Sequence, residues 1–174
     1  TSNMEEGTVS VDITQLAQKD VYQTSTISDT TSTIDSGTIS ITIGDETYDF
    51  STDGKTYEGL VTEMNKNTGL DVSLEQVGDT SYRMVIKSSE SGTSNAITIS
   101  QTGVDLGLEE ETNHVLTAQN MKATVDGIDY DLSSNKLMSQ FSLSPNNAVP
   151  DISSIVSLIM SKICSFKFSF FKTW

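Results

Sequence analysis

The chain has 174 residues, enough for one domain or two small ones with real cores. Its 24 carboxylates against 10 Lys plus Arg argue against a nucleic-acid binder and against docking on an anionic membrane, since both need clustered cations. A single cysteine, Cys164, excludes an internal disulfide framework, and no apolar run reaches the roughly 18 residues of a membrane-spanning helix. No secretory signal opens the chain, and Thr1 in place of an initiator Met reads as a fragment boundary.

In chain order, 8-TVSVDI-13 alternates Val9, Val11 and Ile13 with polar residues, which predicts a half-buried strand. A short 15-QLAQ-18 segment follows, then 23-QTSTISDTTSTIDSG-37, a Ser/Thr-rich connector read as extended or loosely ordered. Alternation returns through Ile39, Ile41 and Ile43. A turn is expected at Gly44-Asp45, and 46-ETYDFS-51 comes back with Tyr48 and Phe50 on one face.

The period then changes. Tyr57, Leu60, Val61 and Met64 follow i, i+3, i+4, i+7, which predicts one amphipathic helix over about 56–68. Thr56 is its expected N-cap, Glu58 lies in the first turn, and Gly69 is the expected stop. Gly59 weakens that helix by about 1 kcal/mol relative to Ala, and close packing on a sheet is one reason for an interior glycine there. Strands resume at 71-DVSLEQV-77, with Val72 and Leu74 inward, at 82-YRMVIK-87, with Tyr82, Met84 and Ile86 on one face, and at 96-AITIS-100. Residues 101–113 read as a loop with a weak helical turn. Last comes 123-ATVDGIDYDLSSN-135, a hairpin whose Asp126-Gly127 pair suits a type I′ turn. This order predicts an α+β protein, antiparallel sheets with one helix laid on them.

Residues 138–174 differ in kind. All 11 glycines lie before them, while Pro145, Pro150, Cys164, Trp174 and five of the six Phe lie within them. Ile152, Ile155, Val156, Ile159, Met160 and Ile163 form a helical apolar stripe. Three readings stand: an amphipathic helix on the body or a partner, a membrane-surface anchor built on Phe166, Phe168, Phe170, Phe171 and Trp174 beside lysines, or an unnatural C-terminus from a slipped reading frame. The abrupt change of composition favours the last.

Chemistry-bearing residues are few. His114 is the sole histidine and reads as a solvated loop residue; a metal there needs carboxylates or Cys164 beside it. Asp45, Glu46, Asp49 and Asp53 invite a calcium reading but do not match the Asp-x-Asp-x-Asp-Gly loop, and alternation assigns them to a solvated face. The 109-EEE-111 run reads as a solvated loop. There is no G-x-S-x-G elbow and no phosphate-cradling glycine loop. The sequence therefore predicts a non-enzyme with no catalytic residue, no metal and no cofactor.

Three stretches together resemble the middle region of the bacterial flagellar filament-capping proteins, the hook-associated protein 2 family. They are 7-GTVSVDITQLAQKDVYQTSTISD-29, residues 37–100 from 37-GTISITIG-44 to 91-SGTSNAI-97, and 118-AQNMKATVDGIDYDLSSNKL-137. Met121 and Lys122 depart mildly from a pattern that favours a small residue nearby, and 138-MSQFSLSPNN-147 departs where a further strand is usual. The resemblance covers about residues 7–137 and implies head domains of a flagellar cap: residues 1–36 and 101–137 in one head domain, 37–100 as an inserted one, and 138–174 an atypical tail, disordered or frame-slipped. Leg helices, which the family packs against the filament, are not expected, since no heptad pattern follows Lys136.

The implied function is structural. A homo-oligomeric cap ring at the filament tip, extracellular and exported by the flagellar secretion apparatus, promotes flagellin assembly and neighbours flagellin and hook–filament junction proteins. No nucleic acid, and no membrane for residues 1–137, is implied. An alternative is an adhesive tip domain that binds host mucin or glycans, with Tyr22, Tyr48, Tyr57, Tyr82 and Tyr130 as candidate aromatics, although spacing buries most of them. A glycan-cleaving enzyme is a third, disfavoured class.

Overall fold

The structure is a computed structural model and describes residues 5–136 and 165–172. The chain forms two compact units: unit 1 from residues 1–17 and 120–174, unit 2 from residues 18–119. The sequence placed the boundaries at 36/37 and 100/101. They move outward because the two flanking connectors supply core: Ile27, Ile34, Val104, Leu106 and Leu108 are buried with the strands of unit 2.

Unit 1 holds a four-stranded antiparallel sheet. Its strands are β1 (Glu5–Gln15), β9 (Met121–Val125), β10 (Ile128–Leu132) and β11 (Ser165–Lys172), in the order β10-β9-β1-β11. Ala17, Met121, Ala123 and Val125 are buried, and Val11, Ile13, Tyr130 and Leu132 pack against them. The β9–β10 turn is the expected one: Asp126 has φ 48° and Gly127 φ 85°, and Val125 pairs with Ile128. Two positive φ angles in succession give the twist that a two-residue hairpin needs. Asp126 also locks the turn to β1, its Oδ1 accepting from Ser10 N at 2.8 Å while its own N–H donates to Ser10 O at 2.9 Å.

The sequence assigned no strand within 138–174. The structure has one at 165–172, where Phe166, Phe168 and Phe170 occupy register positions opposite Val11, Val9 and Gly7. The alternation 165-SFKFSF-170 has the strand period of two, which a composition argument overlooks. The predicted stripe at 152–163 lies outside the described residues.

Unit 2 holds two antiparallel sheets. One has the order β4-β3-β7, from β3 (Thr38–Ile43), β4 (Glu46–Ser51) and β7 (Ile97–Thr102); the other has β5-β6-β2-β8, from β2 (Val21–Gln23), β5 (Leu70–Gly78), β6 (Ser81–Ser88) and β8 (His114–Leu116). The single α-helix among the described residues, α1 (Tyr57–Met64), contributes Leu60 and Met64 to the core. Both sheets turn their apolar alternation inward: Ile39, Ile41, Phe50, Ile97 and Ile99 from one, and Leu70, Val72, Met84 and Ile86 from the other, are buried in one cluster with the helix. The fold is α+β as expected.

The helix differs in two details. Thr56 caps it, accepting from Gly59 N at 3.2 Å, but it stops at Met64 rather than near Gly69. Asn65 turns its side chain away to β5, where its Oδ1 accepts from Val72 N at 2.9 Å and its Nδ2 donates to Val72 O at 2.7 Å. Asn67 then accepts from Gly69 N at 2.9 Å. Such side-chain-to-backbone bonds compete with helix continuation. Gly59 is exposed and does not serve a helix–sheet contact: a Cβ there meets only Thr56 Oγ1, at 3.5 Å.

Candidate functional site

The most concentrated polar chemistry lies at the start of β2 in unit 2. The Asp20 side chain is 2% exposed, and its two oxygens have separate partners. Oδ2 accepts from Ile97 N at 2.7 Å, and Oδ1 accepts from His114 Nε2. Its backbone is exchanged with Ser88, with Asp20 N donating to Ser88 Oγ at 3.0 Å and Ser88 N donating to Asp20 O at 3.1 Å. Tyr22 stacks on His114 with ring centroids 4.1 Å apart and planes within 5°, and its hydroxyl donates to Ile97 O at 3.2 Å.

His114 is therefore not the solvated loop residue that the sequence suggested. It opens β8, half-buried, and pairs with a carboxylate 94 positions away. A buried carboxyl needs a hydrogen-bond partner on each oxygen, and Asp20 has both. The cluster joins β2, the head of β7, the end of β6 and the edge strand β8. It acts as a structural pin.

The calcium candidates are dispersed along β4 and its ends. Asp49 accepts from Ser40 Oγ, Asp53 accepts from Ser36 Oγ at 2.8 Å, Glu46 accepts from the Tyr48 hydroxyl, and Asp45 lies exposed in the β3–β4 turn. Among the described residues no three His, Cys, Asp or Glu side chains are grouped as metal ligands. The 109–111 run is partly tied down rather than wholly solvated: Glu109 Oε1 accepts from Gln101 N at 2.9 Å, and Glu110 Oε2 accepts from Asn113 Nδ2 at 3.4 Å. Asn113 is buried and was not singled out in the sequence. Its Nδ2 donates to Gly107 O at 2.7 Å, and its Oδ1 accepts from Arg83 Nη1 at 3.3 Å, while the same Arg83 nitrogen donates to Thr24 O at 2.6 Å.

The five tyrosines weighed as glycan contacts are all half-buried. Tyr22 is committed to His114, and Tyr48 to Glu46. The Tyr22 phenol is pushed above its usual value of 10.0, first by burial and then by the charge of Asp20; Tyr57 is pushed the same way by burial and by Asp35. A pKa raised on folding means that the fold prefers the neutral phenol. Its contribution is complete below pH 10 and is lost as pH rises through the folded values. The urea midpoint should accordingly hold steady up to about pH 10 and fall above it, in step with the phenolate absorbance of Tyr22 and Tyr57. A midpoint unchanged while those phenols ionise contradicts this assignment.

Large apolar side chains reach solvent at Val115 and Leu116 on the edge strand β8, at Val77 near the β5–β6 turn, and at Ile128 on β10, which is 62% exposed. In unit 1 an open groove of about 300 Å³ is lined by Thr14, Lys122, Thr124, Asp129, Tyr130 and Asp131. Its two acids already accept from Thr124 Oγ1 at 2.7 Å and from Asn120 Nδ2 at 2.6 Å.

No protein-family model matches the chain, and no curated protein matches it in sequence. Solved structures do. The D2–D3 domains of the flagellar cap protein FliD from Escherichia coli superpose with a TM-score of 0.65 at 23% identity, over 80% of this chain and 88% of that one. FliD from Pseudomonas aeruginosa PAO1 gives 0.66 at 17% identity, over 98% and 83%. FliD from Bdellovibrio bacteriovorus gives 0.62 at 22%, over 83% and 85%. The resemblance read from the sequence is thus borne out as a shared fold.

Proposed function

We propose that this chain is the head region of a bacterial flagellar filament cap and promotes flagellin assembly at the filament tip. The observation that supports this reading is the fold it shares with cap D2–D3 domains across 80% of its length, together with motifs in the order that family uses. On this reading the chain works by shape and contact rather than by catalysis. It sits outside the cell at the filament end after export by the flagellar apparatus, within a homo-oligomer, beside flagellin and hook–filament junction proteins. The inserted unit 2 and the four-stranded sheet of unit 1 are its two head domains.

Charge sets the conditions under which copies meet. Unit 2 carries seventeen carboxylates against five basic residues, and Lys55 is already tied to Glu63. Neighbouring copies repel strongly in dilute buffer and much less at about 0.15 M salt, where the Debye length is about 8 Å. At that ionic strength, fluorescently labelled chain added to isolated flagellar filaments should mark one end of each filament and alter the uptake of soluble flagellin there. Uniform absence of end labelling, with flagellin uptake unchanged, overturns the proposal.

A further inference from the structure

Two motifs of the resemblance, 15-QLAQ-18 and 133-SSN-135, lie beside the passage of the chain from residue 17 to 18 and its return from 119 to 120. On the unit 1 side, Gln15 Nε2 donates to Asn120 O at 2.6 Å. Asn135 grips the last residue of the outgoing passage from both directions, Oδ1 accepting from Ala17 N at 2.7 Å and Nδ2 donating to Ala17 O at 3.0 Å. On the unit 2 side, Gln18 and Gln119 exchange backbone bonds, Gln18 N to Gln119 O at 2.9 Å and Gln119 N to Gln18 O at 3.2 Å, and Gln18 Nε2 donates to Thr117 O at 3.0 Å. Gly92 N also donates to Gln18 O, at 3.1 Å.

We propose that the side-chain amides of Gln15, Gln18 and Asn135 form a two-sided clasp that holds both passages of the chain shut, so that each unit closes its own end of the crossing. Ala17 lies between the end of β1 and the Gln18–Gln119 bridge, outside any strand, and a buried backbone group left unpaired is costly. A primary amide carries both a donor and an acceptor in the geometry of a peptide, so Asn135 takes the place of a neighbouring strand beside Ala17. Gln15 and Gln18, three positions apart, each reach a carbonyl of the returning passage. Leu16 and Ala17 between them are small or apolar, and Ala17 is buried in the unit 1 core. The clasp stands on these bonds alone and does not depend on the cap reading.

Amide hydrogen exchange of the full chain tests it. In Gln15→Ala/Gln18→Ala/Asn135→Ala, protection at Ala17, Gln18 and Gln119 should drop roughly five- to tenfold for each bond lost, while Ile41 and Ile86, deep in unit 2, keep theirs. Asn135→Asp retains the acceptor for Ala17 N but not the donor for Ala17 O, and its effect at Ala17 should be intermediate. Should the triple variant fold poorly, Gln18→Ala alone still separates the outcomes, with Gln119 losing protection while Ile86 does not. Unchanged protection at the crossing, or equal loss at Ile41 and Ile86, overturns the proposal.

Discussion

Replacing Asp20 by Ala should destabilise the protein by about 4 kcal/mol, the largest effect expected of any polar side chain described. The substitution deletes the acceptor of Ile97 N, at the first residue of β7, and leaves His114 with no carboxylate. The Asp20 side chain and Ile97 are closed to water, 2% and 3% exposed, while the His114 side chain is 27% exposed. A buried N–H left unpaired costs about 1–3 kcal/mol by itself, and loss of the Asp20–His114 hydrogen bond adds to it.

Asp20→Asn discriminates between the two losses. Its carbonyl oxygen still serves Ile97 N, and its amide can donate to His114 in the other tautomer, so its cost should be about half that of Ala. His114→Ala leaves the carboxylate buried with one partner instead of two, and it also strips the stacked face from Tyr22. A double-mutant cycle between Asp20 and His114, read by urea unfolding, should return a coupling of about 2 kcal/mol; additivity within about 0.5 kcal/mol contradicts a pin. Exchange at the Ile97 amide gives a second, local readout: it should accelerate in Asp20→Ala far more than in Asp20→Asn.

That pin also shows where a sequence can be read and where it cannot. Ile39 and Ile41, Val72 and Leu74, and Tyr82, Met84 and Ile86 declare their strands because one face of each is buried and the period is two. The Asp126-Gly127 hairpin is equally plain, since its residues fit the backbone angles that the turn requires. The three-residue strands β2 and β8 are too short to show any period. Ile27 and Ile34 in the first connector stand alone among Ser, Thr and Asp, and 104-VDLGL-108 in the second alternates over only three apolar positions, too short a run to mark a strand. All five are buried with the strands of unit 2.

The two compact units divide elsewhere than at the change of composition. Composition changes at residue 37, but the chain passes between units at Ala17 and Gln18. Asp20 and His114, Gln18 and Thr117, and Ala17 and Asn135 lie 94, 99 and 118 positions apart. Pairings at such separations depend on topology, which a single sequence does not specify. The QLAQ and SSN motifs were visible as a resemblance, while the amide hydrogen bonds that their side chains make were not.

Gly37→Ala should be nearly as damaging as the loss of Asp20, about 3 kcal/mol, because its new methyl group meets backbone on every side. A Cβ at Gly37 falls 2.5 Å from Thr102 O, 2.6 Å from Val104 N and 2.8 Å from Gly103 C. None of these is the movable end of a side chain, so relief requires the tail of β7 to shift away from the head of β3. Gly37 O is also engaged, accepting from Thr52 N at 2.9 Å and Thr52 Oγ1 at 3.1 Å, and Thr52 is fully buried. Movement in the opposite direction therefore breaks the anchor of β4.

A loss of this size lowers the melting temperature of a unit of roughly 100 residues by about 12–24 °C. Gly59→Ala is the matched control. It sits in the same unit, in an exposed helical turn where the added carbon meets nothing closer than 3.5 Å. There the substitution should stabilise by about 1 kcal/mol, through helix propensity. Opposite shifts of these two variants in one calorimetric series identify the closeness of β3 and β7 at Gly37 as the cause. A Gly37→Ala protein that melts with the parent sequence shows that the two strands do not approach there as described.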